Sequence, residues 1–179
     1  IVSGSWDNTV KIWNSETGEL VRTLSGQLES VQSIALSPNG RHIASAGADR
    51  TITIWDFDSG QKLHSLSGHT DEIESIAISP DSRRIVSAGY DRTIRVWDLA
   101  SGQALHTFKG HSDTIRSVMI TPDGGQIVSG SADMTVKTWD LEKHPEYYLL
   151  KGVMYFPIHS IALSPDGKTL FAGTSDDPI

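Results

Sequence analysis

Serine, histidine and aspartate recur together in this sequence, and they are the residue types of a nucleophilic catalytic triad. The histidine lies 22 residues before the aspartate, the serine lies four residues before it, and this spacing occurs twice. The two sets are Ser87, His69 and Asp91, and Ser129, His111 and Asp133. A triad is needed once and beside an oxyanion hole, whereas these residues recur with the repeats of the chain. We therefore interpret them as structural and predict no catalytic residue and no enzymatic activity.

The repeats of the chain are marked by tryptophan. Four tryptophans are spaced 42 residues apart, and the segments before them nearly match, as in SAGADRTITIW and SAGYDRTIRVW. They are Trp13, Trp55, Trp97 and Trp139. Internal repetition at a period of about 40–45 residues indicates a repeat architecture in which each repeat is one structural unit.

Residues 69–110 are the most regular copy and predict four short strands. DEIESIAIS and RRIVSAG are rich in β-branched residues, and the SPDS segment between them has the chemistry of a type I turn. In TIRVWD, Thr93 and Arg95 alternate with Ile94 and Val96, which predicts a half-buried strand with Thr93 and Arg95 facing outward. QALHTFKG supplies the fourth strand. Short strands joined by tight turns predict an all-β fold of four-stranded antiparallel sheets.

A Gly-His pair opens two of the repeats, and a Trp-Asp pair closes their third strand. Gly68-His69 is followed by Trp97-Asp98, and Gly110-His111 is followed by Trp139-Asp140. This pattern resembles the WD-repeat β-propeller family, and repeats so regular and free of cysteine are similar to its bacterial, often cyanobacterial, members. The resemblance implies a partial β-propeller of about four repeats. Residues 1–179 would form one segment, with repeats at 1–26 (partial), 27–68, 69–110 and 111–152 (whole) and 153–179 (partial and divergent).

The resemblance also implies a role for the repeated polar residues. In this family they form a buried hydrogen-bond chain from Trp through Ser and His to Asp, and a complete chain makes its surroundings rigid. The members expected here are His69, Ser87, Asp91 and Trp97; His111, Ser129, Asp133 and Trp139; and Ser45, Asp49 and Trp55. Gln27 stands where histidine is expected, so we expect the blade of Asp49 to keep only part of the chain. Val153 and Ala172 replace His and Ser in the last repeat, which keeps Asp176 and should be looser.

Composition limits the partners and the compartment. The net charge of −7 opposes general attraction to nucleic acid or to anionic membranes. No run approaches the roughly 18 apolar residues of a membrane span, no signal peptide is visible, and the absence of cysteine fits a cytoplasmic protein. The seven histidines lack zinc-site spacing, and no phosphate-binding glycine loop is present. We predict no metal, no cofactor, no nucleic-acid partner and no membrane.

The family resemblance points to one face of the fold as the binding surface. There, the loops before the first strand and between the second and third strands converge, and that face commonly binds peptides or proteins. Its positions vary here while the framework repeats, as expected for adaptable loops on a rigid scaffold. The resulting candidates are Trp6, Gln32, Glu72, Glu74, Tyr90, Thr114, Arg116 and His159. The aromatic segment 141–159 is a further candidate, either as an altered outer strand or as a docking surface.

These observations favour a non-catalytic scaffold for protein–protein interaction, with a protein or a peptide as its partner. The alternative is a ligand- or signal-sensing regulatory domain of a larger signalling enzyme, a kinase or an NTPase, outside this chain. About four repeats fall short of the roughly seven blades common in the family, and open sheet edges invite association. We therefore expect these residues to belong to a longer chain or to pair with a second copy.

Overall fold

A computed structural model of the protein describes residues 1–27, 29–141, 147–150 and 155–174. Within these residues the chain forms 17 strands and no helix. In chain order the strands are β1 (Val2–Gly4), β2 (Thr9–Trp13), β3 (Leu20–Ser25), β4 (Val31–Leu36), β5 (His42–Gly47), β6 (Thr51–Asp56), β7 (Lys62–Ser67), β8 (Ile73–Ile78), β9 (Arg84–Gly89), β10 (Thr93–Asp98), β11 (Ala104–Lys109), β12 (Ile115–Ile120), β13 (Gln126–Ser131), β14 (Val136–Asp140), β15 (Tyr147–Leu149), β16 (Ile158–Leu163) and β17 (Leu170–Thr174).

The strands form five antiparallel sheets in which neighbours in the chain are also neighbours in the sheet. We call each sheet a blade: β1–β3 form blade 1, β4–β7 blade 2, β8–β11 blade 3, β12–β15 blade 4 and β16–β17 blade 5. Blades 2, 3 and 4 have four strands each. This architecture confirms the predicted all-β fold of four-stranded antiparallel blades.

Consecutive blades pack face to face, and each large apolar cluster draws residues from two of them. Trp97 of blade 3 lies in a cluster with Ile52 and Leu66 of blade 2, and Trp139 of blade 4 lies in a cluster with Ile94 and Phe108 of blade 3. Each tryptophan therefore joins its own blade to the preceding one. An indole is suited to this place because it buries a large apolar surface and leaves one N–H to be satisfied.

Packing on both faces corrects one detail of the strand prediction. Thr93 was expected to face outward, but only 8% of its surface is exposed, and Arg95 is partly buried. An inner blade has neighbours on both sides, so its strands have no fully solvated face. Alternation of polar and apolar residues indicated the strand correctly and its exposure wrongly.

The first strands of successive blades are also linked by a repeated hydrogen bond. The Oγ atom of Ser33 in β4 accepts from the backbone N–H of Ile76 in β8 at 3.1 Å. The same bond joins Ser75 to Val118 at 3.1 Å, and Ser117 to Ile161 at 3.4 Å. These serines connect blades 2, 3, 4 and 5 in series along their first strands.

Blade 5 is described only through its first two strands. Ala172, which stands in the serine position of the repeat, lies in β17 opposite Ile161 and is exposed. Phe171 beside it is 60% exposed. Val153 and Asp176, for which a looser last repeat was expected, lie outside the described residues.

Candidate partner-binding site

The repeated polar residues of blade 3 form one continuous hydrogen-bond chain. Trp97 Nε1 donates to Ser87 Oγ at 2.8 Å, and Ser87 Oγ and His69 Nε2 are 2.7 Å apart. His69 Nδ1 and Asp91 Oδ2 are also 2.7 Å apart. The carboxylate of Asp91 can only accept, so Nδ1 carries a proton and donates to it; in a neutral imidazole, Nε2 then accepts from the Ser87 hydroxyl.

Blade 4 repeats this chain with the same distances. Trp139 Nε1 donates to Ser129 Oγ at 2.8 Å, and His111 lies 2.7 Å from both Ser129 Oγ and Asp133 Oδ2. Burial lowers the pKa of His111, although Asp133 beside it acts to raise it. A histidine kept neutral suits the role of a hydrogen-bond bridge between a hydroxyl and a carboxylate.

Burial of the serines bears on the catalytic interpretation of these residues. Ser45, Ser87 and Ser129 have no exposed surface. Burial would raise the pKa of Asp91, but hydrogen bonds from His69 and Thr93 lower it well below its usual range. A nucleophilic serine must reach a substrate carbonyl, and a hydroxyl enclosed under a tryptophan cannot do so.

Gln27 completes the chain in blade 2, so the expectation of a partial chain was wrong. Its Nε2 donates to both carboxylate oxygens of Asp49, at 3.0 and 2.9 Å, and its Oε1 accepts from Ser45 Oγ at 2.8 Å. Trp55 Nε1 donates to Ser45 Oγ at 2.9 Å. A primary amide has a donor at one corner and an acceptor at the other, as neutral imidazole does on its two nitrogens. That property of glutamine is the signal in the sequence that would have predicted the complete chain.

A β-bulge presents the variable residue of each first strand. The pairing of first and second strands shifts register at the same place in blades 2 to 5, between Val31 and Ser33 in blade 2 and at the equivalent residues in the others. The residues left over by the shift are Gln32, Glu74, Arg116 and His159. A bulge redirects a side chain out of the regular ladder. Four of the candidate residues therefore occupy the same β-bulge position in successive blades.

Three candidates are in contact across the junction of blades 3 and 4, and we call them the junction cluster. Arg116 Nη1 lies 3.7 Å from Glu74 Oε2 and donates a long hydrogen bond of 3.4 Å to the Tyr90 hydroxyl. The guanidinium carbon lies 5.5 Å from the centre of the Tyr90 ring, within the range of a cation–π contact. Glu74 and Tyr90 belong to blade 3 and Arg116 to blade 4. Tyr90 is 39% exposed, and its contacts with Arg116 hold this exposed ring in a defined place.

The other candidates differ in what they present. Glu72 is partly buried and its carbonyl accepts from the Tyr90 backbone N–H at 3.0 Å, while Trp6, in the turn between β1 and β2, is 81% exposed. Thr114 does not belong to an exposed face, because only 7% of its surface is accessible. Its carbonyl accepts from Ser131 Oγ at 2.9 Å and from Ala132 N at 2.8 Å. These bonds tie the segment before β12 to the end of β13 beneath the surface.

An open groove of about 390 Å³ lies between blades 2 and 3 and ends at Glu72. It is lined by Glu29, Ala48, Asp49, Arg50, Asp71 and Glu72, so carboxylates outnumber cations. Glu29 and Asp71 were not among the binding residues predicted from the sequence. They lie 42 residues apart, and Asp113 follows after another 42, so the repeat period itself would have found them.

Metal centres and membrane-spanning helices are two other features to consider in the described residues. In that part of the chain, no group of three or more His, Cys, Asp or Glu residues is placed to hold a metal ion. No helix long and apolar enough to cross a membrane occurs there.

Comparison with known families agrees with these blades. The sequence pattern of the family described as "WD domain, G-beta repeat" matches residues 1–14, 18–56, 60–98, 102–140 and 151–178. Because the matched segments cover most of the chain, this protein belongs to the WD40 repeat family.

Similarity to individual proteins extends over about one repeat at a time. The chain is 46% identical over 44 residues to the WD40 repeat-containing protein HOS15 of Arabidopsis thaliana. It is 47% identical over 47 residues to the small ribosomal subunit protein RACK1y of Oryza sativa subsp. japonica, and 40% identical over 45 residues to the nuclear distribution protein PAC1 of Mycosarcoma maydis. These matches take in 25%, 26% and 25% of this chain and 7%, 14% and 10% of the respective relatives.

Proposed function

We propose that this chain is a non-catalytic platform for protein–protein interaction, and that its partner binds over the junction cluster of Glu74, Tyr90 and Arg116. The observation that carries the proposal is the contact of Arg116 with both Tyr90 and Glu74 across two blades. An aromatic ring held in place before binding loses little freedom on binding, and tyrosine and arginine are frequent hot-spot residues.

The pattern of variation along the first strands supports a binding role. The bulge residue differs in every blade, as Gln32, Glu74, Arg116 and His159. The residue before it is Val31 or an isoleucine, and the residue after it is always a serine. A fixed framework that presents one variable side chain per blade is what a recognition surface on a scaffold requires.

Charge favours a partner with at least one basic residue. The groove that ends at Glu72 is lined mainly by carboxylates, among them Glu29 and Asp71. Trp6 and Tyr90 supply exposed aromatic surface on either side of blade 2. A peptide with a basic side chain between apolar ones complements such a surface, whereas nucleic acid and anionic membranes do not.

The relatives support a role in assembly only in general terms. One of them is named as a ribosomal subunit protein and another as a nuclear distribution protein. Each match spans a seventh or less of the relative, so we carry over the role of holding a partner and not the partners themselves. A cytoplasmic location is part of the proposal and rests on the absence of cysteine.

A pull-down from a native extract followed by an alanine scan tests the proposal. Tyr90→Ala should weaken binding of the recovered partner by about 2 kcal/mol or more, as for a hot-spot residue. Tyr148→Ala is the matched control, because Tyr148 is also an exposed tyrosine but lies on the outer strand β15. Normal binding by Tyr90→Ala, Glu74→Ala and Arg116→Ala, with loss in Tyr147→Ala, Tyr148→Ala or Phe156→Ala, would place the docking site in segment 141–159 instead.

The absence of catalysis has its own test. Ser87→Ala removes the hydroxyl that lies between Trp97 and His69, so it should lower stability by about 1–3 kcal/mol. Ser65→Ala, on the exposed side of β7, is the control and should leave stability unchanged. A hydrolase activity that Ser87→Ala abolishes without lowering the melting temperature would show that the non-catalytic proposal is wrong.

A further inference from the structure

A second groove, of about 360 Å³, lies on blade 3 between the turn that joins β9 to β10 and the loop that follows β11. Three cationic side chains line it, those of Arg92, Arg95 and Lys109. The only carboxylate in its lining is that of Asp91. On a chain whose net charge is −7, this local excess of positive charge stands apart from the rest of the composition.

The carboxylate of Asp91 is already saturated with donors from the framework. Its Oδ2 accepts from His69 Nδ1 at 2.7 Å and from Thr70 N at 3.1 Å. Its Oδ1 accepts from Thr93 N at 3.0 Å and from Thr93 Oγ1 at 2.8 Å. These bonds keep Asp91 within the structural chain, so it does not pair with the three cations.

Arg95 differs from the lysines at the equivalent positions of blades 1 and 4. In blade 1, Lys11 Nζ lies 3.1 Å from Asp7, and in blade 4, Lys137 Nζ donates to the Gly110 carbonyl and lies 4.0 Å from Asp133. Arg95 makes no ion pair or side-chain hydrogen bond with the described residues, and its Nε atom is buried without a partner. Its guanidinium carbon lies 6.0 Å from the centre of the Trp97 ring, so the group is held by packing rather than by a counter-charge.

The cluster is also confined to one blade, unlike the structural residues. The positions of Arg92, Arg95 and Lys109 are occupied by Asn8, Lys11 and Ser25 in blade 1, by Arg50, Thr53 and Ser67 in blade 2, and by Met134, Lys137 and Lys151 in blade 4. Of these four blades, only blade 3 has a cation at all three. A feature that the fold required would recur with the repeat, as the Ser, Asp and Trp positions do.

We propose that this groove binds a phosphate monoester. Such a group carries a charge of about −1.5 to −2 at neutral pH and three acceptor oxygens, which matches three cationic donors beside one carboxylate. The planar guanidinium of an arginine is suited to two oxygens of one phosphate, and Arg95 lines the groove without an ion pair to any described residue. A carboxylate brings one charge and two oxygens and is a poorer match. Nucleic acid needs a track of several phosphate contacts rather than one groove.

The groove is tested with inorganic phosphate, a phosphoserine peptide and the same peptide unphosphorylated, each added to the intact protein at constant ionic strength and followed by amide NMR shifts. We expect saturable shifts at Arg92, Arg95 and Lys109 with phosphate and phosphopeptide, and none with the unphosphorylated peptide or sodium chloride. Tighter binding of the phosphopeptide than of inorganic phosphate would identify a phosphorylated partner as the source, and equal binding a free phosphate compound.

The chain itself supplies substitutions that the fold tolerates. Arg92→Met installs the residue of blade 4, where Met134 has φ 64° against 61° for Arg92, and Arg95→Thr installs that of blade 2. We expect each to weaken phosphate binding roughly tenfold, since a charge-assisted hydrogen bond is lost. Arg95→Lys keeps the charge and should weaken binding less. Arg41→Gln removes one exposed positive charge elsewhere in the repeat framework and is the control.

Two results would overturn the proposal. One is the absence of saturable shifts with either phosphate ligand in a protein whose tryptophan fluorescence shows it to be folded. The other is equal weakening by Arg95→Thr, Arg95→Lys and Arg41→Gln, which would indicate general screening of charge. Neither result depends on the junction cluster, so the proposal stands apart from the proposed function.

Discussion

Gln27 and Asp49 are joined by two hydrogen bonds, from one amide nitrogen to both carboxylate oxygens at 3.0 and 2.9 Å. In blade 3 the same place holds His69 and Asp91, joined by one bond of 2.7 Å. Blade 2 therefore keeps the connection from tryptophan to aspartate with an amide in place of an imidazole. One molecule therefore contains the hydrogen-bond chain in two versions, one with glutamine and one with histidine, and each can be tested against the other.

The first prediction concerns exchange between the two versions. His69→Gln should change the free energy of unfolding by less than about 1 kcal/mol, because the amide can donate to Asp91 and accept from Ser87 as Gln27 does in its own blade. His69→Ala should cost about 1–3 kcal/mol, since it leaves Ser87 and Asp91 buried without that partner. Urea unfolding measures both values. Equal losses in the two variants would show that the ring of His69, and not its hydrogen bonds, stabilises the blade.

The second prediction concerns pH. Burial lowers the pKa of His111 below its usual 6.5, and hydrogen bonds lower the pKa of Asp133 below 3.8 despite its burial. In both cases the unfolded chain takes up the proton at a higher pH than the folded one, so each contribution is complete above the unfolded pKa and is lost as pH falls below it. Stability should therefore decline as the pH falls from 6.5, first through His111 and near pH 4 through the aspartates.

His111→Gln isolates the histidine contribution. The variant should unfold with a smaller dependence on pH between pH 7 and 5 than the natural protein, while the loss near pH 4 remains, because Asp133 is unchanged. The free energy of unfolding at a series of pH values provides the comparison. An unchanged slope between pH 7 and 5 would mean that His111 does not supply it.

The sequence was sufficient to predict the blades because their markers are local. The 42-residue spacing of tryptophan and the Ser-Pro turns place the strands, and the turn at Ser79 forms as expected, with Ser82 N donating to Ser79 O at 2.8 Å. The hydrogen-bond chain of polar residues could be named residue by residue because the resemblance to the WD-repeat family implies a role for each repeated position.

Features that depend on contacts outside one strand were beyond the sequence. Thr93 is buried and its N–H and Oγ1 both donate to Asp91, which the alternation of polar and apolar residues along one strand does not reveal. Arg116 meets Tyr90 because one residue is left over in the register of β12, which only the pairing of the strands discloses. The burial of Thr114 arises within blade 4, where its carbonyl accepts from Ser131 Oγ at 2.9 Å and turns the loop inward.

The third prediction concerns residues 1–179 studied alone. Within the described residues β1 pairs only with β2 and β17 only with β16, so each presents a strand edge, and Phe171 is 60% exposed beside one of them. Open edges and apolar surface favour association. Sedimentation should therefore show assemblies that grow with concentration, and Phe171→Lys should reduce them. A dilute, monodisperse and thermally stable monomer would contradict this expectation.

The fourth prediction separates the roles of the residues in the junction cluster. If the ring of Tyr90 is the centre of the contact, Glu74 and Arg116 lie at its rim, where charges act mainly on the rate of association. Glu74→Gln should therefore lower the association rate constant of a basic partner and make it less sensitive to salt, with little change in the dissociation rate constant. Tyr90→Ala should instead raise the dissociation rate constant, because it removes apolar contact from the bound state.

Tyr90→Phe is the informative companion of these variants. It keeps the ring that lies over the Arg116 guanidinium at 5.5 Å and removes the hydroxyl that accepts from it at 3.4 Å. If the ring is the anchor, Tyr90→Phe should bind nearly as the natural protein does, and only Tyr90→Ala should dissociate faster. Surface plasmon resonance at two salt concentrations gives the association and dissociation rate constants of the natural protein and of each variant. A dissociation rate constant that rises as much in Tyr90→Phe as in Tyr90→Ala would show that the hydroxyl, by orienting Arg116, is the group on which the partner depends.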